Sequence, residues 1–215
     1  MWSTDLTESL RKSPIVAVLV FEDPADAVPT AQALVRGGVT HIELALRTKG
    51  SMDALKAVMA EVPELVVGVG TVLQPEQVRE VKDLGVAFAV SPGFNPAVVE
   101  AARDCGLAFA PGIATPSDIE AAYSLGCTLL KLFPAEPLGG ITYLQSVNAA
   151  YRHLGLSYIP LGGVSRENMN DWLALPEVLA VGGSWIAPKN LISSKNWNEI
   201  EDRARDASAG AVSVS

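Results

Sequence analysis

Lys131 is the side chain in this sequence whose setting best suits a nucleophile. It lies inside the apolar run Thr128-Leu129-Leu130-Lys131-Leu132-Phe133, which Pro134 ends. Burial strips water from an ammonium and disfavours the charged form, and a free amine is what Schiff-base chemistry requires. The six other lysines have different neighbours: Lys12, Lys56 and Lys82 lie among polar or helix-forming residues, and Lys49, Lys189 and Lys195 in loop-like stretches. The plainer reading of Lys131 is a stem packed on apolar surface with its head in water, and this residue alone does not decide between the two. A second reactive group falls in segment 41–47. Alternation along an extended chain puts His41, Glu43, Ala45 and Arg47 on one face and Ile42, Leu44 and Leu46 on the other. Glu43 and Arg47 on one inward face form either a working pair or a structural ion pair. A buried pair seldom adds net stability, so site function is the better reason to keep one.

These residues need elements to hold them. Short apolar or β-branched runs recur at 15–20, 42–46, 65–69, 86–90, 107–110, 128–132, 158–161 and 178–181. Each is too short for a buried helix, and most precede a helix-start signal. Asp23-Pro24, Gln74-Pro75, Asn95-Pro96 and Thr115-Pro116 place proline in a first helical turn. Asp23, Asn95 and Thr115 serve there as caps, and Ser51 and Ser165 are expected to cap two further helices. Gly37-Gly38, Gly85, Gly106, Gly126 and Gly155 follow helices, as terminating glycines do. A final outer helix is predicted over 189–207, with the small-residue tail 208–215 frayed. Strand-then-helix units about 20 to 30 residues apart predict α/β architecture. Eight of them with nearly continuous apolar strands predict a single-domain (β/α)8 TIM barrel over 1–215, with an extra N-terminal helix. An open doubly wound sheet is the alternative, but no phosphate-binding first turn is evident.

Composition narrows the partners. The chain has 215 residues, 49% of them hydrophobic and 19% charged, which describes a globular protein with a large core. Its net charge of −8 argues against nucleic-acid binding. A small anion is still compatible with it, since a few local cations and backbone amides suffice to hold one. No apolar stretch approaches the roughly 20 residues of a membrane span, and residues 1–12 lack the apolar segment of a signal peptide. A cytoplasmic protein without membrane partners is expected. Cys105 and Cys127 are too far apart for a metal knuckle and read as small apolar residues. The two histidines form no cluster with carboxylates, so no metal site is legible. His41 reads as a packed strand histidine or a base, and His153 as a residue at a helix C-terminus.

In a parallel barrel the active site lies at the C-terminal ends of the strands. That rule selects Arg47, Thr71, Pro92, the segment 111–115, Lys131 and Phe133. It also selects Gly162-Gly163 and Gly182-Gly183-Ser184 after the last two strands. Those glycine pairs are expected in equivalent positions, where backbone amides come close to a bound phosphate. Ser184 adds a hydroxyl.

Six segments in this order resemble a known family. They are Ile42-Glu43-Leu44-Ala45-Leu46-Arg47-Thr48, Gly70-Thr71-Val72, Ser91-Pro92-Gly93, Pro111-Gly112-Ile113-Ala114-Thr115, Lys131-Leu132-Phe133-Pro134-Ala135-Glu136 and Gly182-Gly183-Ser184-Trp185. Together they are similar to the 2-keto-3-deoxy-6-phosphogluconate (KDPG) aldolases, many of which also act as 4-hydroxy-2-oxoglutarate (KHG) aldolases. The likeness runs from residue 15 to residue 188. It implies a metal-independent class I aldolase, a (β/α)8 barrel that is usually trimeric, with no cofactor beyond a covalent imine on Lys131. The substrate would be an anionic 2-keto-3-deoxy-6-phospho sugar acid, cleaved to pyruvate and glyceraldehyde 3-phosphate. By the same resemblance, Glu43 is the acid–base group and Arg47 and Thr71 hold the pyruvate carboxylate. Pro92 and Phe133 wall the pocket, and Gly162, Gly163 and Ser184 take the phosphate, beside Gly182 and Gly183.

One departure bears on specificity. Where family members selective for the gluconate sugar usually have threonine before the first glycine pair, this chain has Leu161. A site that reads a hydroxyl discriminates far better than an apolar one, so relaxed or altered stereochemistry at the aldehyde side is expected, towards the galactonate epimer or a non-phosphorylated keto acid. Ala45 and Ala114 also replace frequent hydroxyl residues. The rival readings are a phosphosugar isomerase with Glu43 as base, an oxaloacetate decarboxylase using the same lysine, and a non-catalytic sugar-phosphate-binding barrel. A further one is a purely structural pairing of Lys131 with Glu43.

Overall fold

Runs of alternating β-branched and small residues form parallel strands in the computed structural model, which describes residues 2–212. The strand segments are β1 (Ile15–Leu19), β2 (His41–Ala45), β3 (Val66–Gly70), β4 (Phe88–Val90), β5 (Ala108–Ala110), β6 (Gly112–Ile113), β7 (Leu129–Leu132), β8 (Ser157–Pro160) and β9 (Val181–Gly183). The helices are α1 (Thr4–Lys12), before β1; α2 (Ala27–Arg36), α3 (Ser51–Glu61), α4 (Pro75–Asp83), α5 (Pro96–Asp104), α6 (Pro116–Ser124), α7 (Gly140–Asn148) and α8 (Met169–Leu173), between strands; and α9 (Lys189–Ser193) and α10 (Trp197–Gly210), after β9.

Every strand pairing is parallel, as strand–helix alternation requires. One sheet has the order β5-β4-β3-β2-β1-β9 and a second the order β6-β7-β8. Only Pro111, which has no amide hydrogen to give to a ladder, separates β5 from β6. At the other junction, isolated parallel bridges join Tyr158 to Val178 and Leu161 to Gly182.

Alternation sorts the strand side chains into two apolar clusters. Ala17, Ile42, Leu44, Val67, Val69, Leu130 and Leu132 belong to the larger cluster, shared with the helices. Val16, Phe88, Val90, Ala108, Leu129, Ile159 and Leu161 form an inner one. Helix α1 adds Leu10 to this inner cluster. Nearby, Trp2 packs at 5.4 Å on Phe88 and donates from Nε1 to the Phe109 carbonyl at 3.1 Å. Ser9 Oγ lies 2.9 Å from Nε2 of the buried His41, so the start of the chain closes the end of the fold opposite the strand C-termini.

Several local expectations hold. Asp23, Asn95 and Thr115 cap through their side chains, Thr115 in a reciprocal capping box with Asp118. Others need correction. Ser51 is the first residue of α3, not its cap; its hydroxyl serves Thr48 N at 3.1 Å and Ala45 O at 3.1 Å. Ser165 holds the turn before α8, whose cap position is Asn168. The last strand is β9, later than 178–181, because Val178 is drawn to Tyr158 and the ladder with β1 begins only at Val181. The predicted 189–207 helix is two helices, interrupted where Lys195 takes φ +55° and Asn196 caps α10. Residues 208–210 continue α10; of the tail, 213–215 lie outside the described residues. No helix among the described residues is long and apolar enough to cross a membrane.

Candidate active site

Lys131 projects from β7 and Glu43 from β2, strands that belong to different sheets and share no ladder. They meet across the interior. Nζ of Lys131 donates to Glu43 Oε1 at 2.9 Å and approaches Oε2 at 3.3 Å, and each side chain is only 2% exposed. The Phe133 ring lies below the ammonium, 5.4 Å from Nζ to its centroid. Arg47 is not the partner of Glu43, so the structural ion pair weighed for segment 41–47 is not formed. It sits past the end of β2, exposed, where its guanidinium is free to turn away from the interior.

There Arg47 Nε donates to Thr71 Oγ1 at 3.0 Å. Thr71 reaches this position with φ +61°, a backbone conformation that disfavours a β-branched residue. Such strained positions cluster at binding sites, where the surrounding structure holds them. The chain's net charge is therefore no obstacle to an anion at this mouth, since Arg47 and Lys131 face a common space.

That space is a cavity of about 360 Å³ at the C-terminal ends of the strands. Of the residues expected from sequence, its wall includes Arg47, Lys131, Phe133, Leu161, Gly162, Gly163, Gly183 and Ser184. Glu43 reaches it through Lys131, and Thr71 through Arg47. Pro92 and Gly182 are not in the wall. The Pro92 backbone packs against Gly112, and Gly182 lies behind the Leu161 side chain.

The two glycine pairs are not equivalent. Gly162 and Gly163 turn with φ +89° and +92°, a geometry that suits glycine alone. Gly183 ends strand β9 with Gly182 just before it, and neither has a positive φ. What Gly183 supplies is room, because a Cβ there would overlap the Trp185 ring.

Glu136 supports the first glycine turn from behind. Its Oε1 accepts from Trp172 Nε1 at 2.8 Å and from Asn168 Nδ2 at 3.2 Å, and Asn168 Nδ2 also donates to the Gly163 carbonyl at 3.2 Å. Its backbone N donates to the Gly162 carbonyl at 2.9 Å. The sequence reading assigned Glu136 no role. Its place three residues past Phe133, with no other charged side chain in 132–151, was the available signal. Glu22 was not singled out, and Lys189 was read only as a lysine in a loop-like stretch. Both line the cavity, 2.8 Å apart, and nothing local separates them from ordinary surface charges.

The profile of the family described as "Aldolase: KDPG and KHG aldolase" matches residues 6–203. The chain belongs to the KDPG and KHG aldolase family. It is 40% identical over 210 residues to the KHG/KDPG aldolase of Escherichia coli strain K12, covering 98% of each chain. It superposes with a TM-score of 0.89 on the KDPG aldolase of Legionella pneumophila, in which pyruvate was captured as a covalent carbinolamine. That match has 33% identity and covers 94% of this chain and 97% of the other. The KDPG aldolase of Zymomonas mobilis ZM4, solved with 3-phosphoglycerate, gives a TM-score of 0.88 at 35% identity, over 99% of this chain and 100% of the other. Membership in the KDPG and KHG aldolase family agrees with an α/β fold of parallel strands and with the reading of the chain as a lyase.

Proposed function

We propose that this protein is a class I aldolase that cleaves 2-keto-3-deoxy-6-phosphogluconate to pyruvate and glyceraldehyde 3-phosphate through an imine on Lys131. The observation that carries this reading is the 2.9 Å contact between Lys131 Nζ and Glu43 Oε1 beside a cavity whose mouth holds Arg47. An amine with a carboxylate at hydrogen-bond distance has a proton acceptor and donor at hand.

The steps follow from that contact. The Lys131 amine adds to the C2 carbonyl to form a carbinolamine. Glu43 protonates the departing hydroxyl, which leaves as water and yields the protonated imine. That imine is an electron sink. Glu43, directly or through a water, takes the proton of the C4 hydroxyl; the C3–C4 bond breaks, the aldehyde leaves, and its bonding electrons become the enamine of Lys131. Protonation at C3 and hydrolysis return pyruvate and the free lysine. Arg47, oriented by Thr71, holds the substrate carboxylate with its planar fork. The amides around Gly162, Gly163 and Gly183, with Ser184, receive the phosphate. Phe133, in the cavity wall, shapes the pyruvate end, and Pro92 stands behind it, its backbone against Gly112. No step calls for a metal, in keeping with the imine mechanism of the family.

Finer features belong to the same proposal. The two sheets read as one closed eight-stranded barrel preceded by α1, with β5 and β6 as a single strand interrupted at Pro111, and the chain as one domain. A homotrimer in the cytoplasm is the expected state by resemblance. Leu161, buried in the cavity wall, offers no hydroxyl to the sugar chain. The gluconate and galactonate epimers are therefore discriminated weakly, and 4-hydroxy-2-oxoglutarate is a further substrate. The deciding experiment is intact mass after incubation with pyruvate and borohydride, followed by peptide mapping. A pyruvyl adduct on Lys131 is expected. Its absence, in folded protein under conditions that label a known Schiff-base aldolase, would remove the mechanism.

A further inference from the structure

The rim of the cavity carries an ion pair that the imine chemistry leaves unused. Lys189 Nζ lies 2.8 Å from Glu22 Oε1, and both side chains are largely exposed, 68% and 61%. The pair bridges two loops that leave neighbouring strands, since Glu22 follows β1, Lys189 follows β9, and Ala17 pairs with Gly183 in register. The chain lines the cavity at Gly183 and Ser184, then rejoins its wall at Ala187, Pro188 and Lys189. Lys189 thus belongs to the same strand end as the proposed phosphate donors.

The charges around the wall give this position a task. Among the described residues, the wall contains the cations Arg47, Lys131 and Lys189 and one carboxylate, Glu22. In the proposed reaction Arg47 is occupied by the substrate carboxylate and Lys131 becomes the imine nitrogen. A phosphate dianion then has backbone amides and one hydroxyl but no cation other than Lys189. Glu22 would repel the same dianion if left alone. Exposed ion pairs contribute little net stability, so Lys189 can exchange Glu22 for a phosphate at small cost. A charge-assisted contact with a phosphate oxygen is the stronger of the two.

We infer that Lys189 is the cation that selects phosphorylated over unphosphorylated substrates, and that Glu22 holds it at the rim until the phosphate displaces it. This inference rests on the aldolase reading above and deepens it.

The test compares kcat/KM for the 6-phosphorylated 2-keto-3-deoxy sugar acid with that for the same acid lacking phosphate. In Lys189→Met the ratio falls about tenfold, through KM for the phosphorylated substrate, the size expected for one hydrogen bond to a charged group. In Glu22→Gln the ratio rises roughly two- to fivefold, as removal of one exposed like charge predicts. Both variants lose the same ion pair, so opposite signs separate a role in selection from a mere tether between loops. A ratio unchanged in Lys189→Met, or lowered alike in both variants, would overturn the assignment. Pyruvate trapping on Lys131 is run alongside in wild type. Loss of that adduct would refute the underlying aldolase reading, while a normal adduct with unmoved ratios would refute the role of Lys189 alone.

Discussion

The carboxylate of Glu43 fills the space that a side chain at position 70 would need: a Cβ built on Gly70 overlaps Glu43 Oε1. Glycine at the end of β3 therefore lets the carboxylate lie flat against the neighbouring strand and reach Lys131. Gly70→Ala should push Glu43 off Lys131 and lower kcat by roughly 10²- to 10⁴-fold, the range of a lost acid–base group. Overpacking should cost about 1–3 kcal/mol of stability. Steady-state kinetics with a urea melt checks both, and wild-type kcat in the variant would refute the steric argument.

Lys131→Ala should abolish turnover and pyruvate trapping, and it should also destabilise the protein. It leaves Glu43 buried without its cation, a loss of about 3–5 kcal/mol for a broken buried pair. The double variant Lys131→Met with Glu43→Leu removes both charges and should recover most of that stability with no activity. Denaturant midpoints of the three proteins decide the matter. A single variant as stable as wild type would show that the pair carries no such penalty.

Gly163→Ala meets two obstacles. The residue holds φ +92°, and a Cβ would lie 2.5 Å from Glu136 Cβ. The left-handed strain alone costs of order 1–2 kcal/mol. The turn should shift, raising KM for the phosphorylated substrate while pyruvate still traps on Lys131. Equal loss of both functions would mean that the turn does not act at the phosphate end alone.

Leu161 makes stereochemistry the sharpest test of the aldehyde side. Wild-type retro-aldol rates on the gluconate and galactonate epimers should lie within about tenfold, the discrimination of a site with no hydroxyl to offer. Leu161→Thr should favour one epimer more strongly. A strong gluconate preference in wild type would refute the argument.

His41 gives the fold a pH dependence unrelated to the chemistry. Burial lowers it from an ordinary 6.5 to about 4, and its ring nitrogens lie 2.9 Å from Ser9 Oγ and 3.2 Å from Thr40 Oγ1. In the window between these values the unfolded chain takes up the proton and the folded one does not. Stability is thus full above pH 6.5 and falls as pH drops towards 4, by up to about 3 kcal/mol from this group. Urea titrations across that window should show a shallower loss in His41→Gln. An identical slope in the variant would remove His41 as the cause.

Features with local causes were readable from sequence. Alternation alone placed His41 and Glu43 inward and Ile42 and Leu44 outward, because an extended chain turns each side chain opposite to the last. The apolar neighbours of Lys131 marked its stem as packed without deciding where its amine lies, and proline with a preceding side-chain oxygen marked the starts of α5 and α6. Only the tertiary structure decided which charges meet. Glu43 and Lys131 are 88 residues apart in the chain, and their contact depends on the relative stagger of strands in two sheets. Arg47, four positions from Glu43 on the same face of the strand, makes no ion pair with it and donates to Thr71 at the mouth. Glu22 and Lys189 look like any surface pair in sequence, and only the adjacency of β1 and β9 sets them together on the cavity rim. Local pattern determines which way a side chain points; the packing of whole strands determines what it finds there.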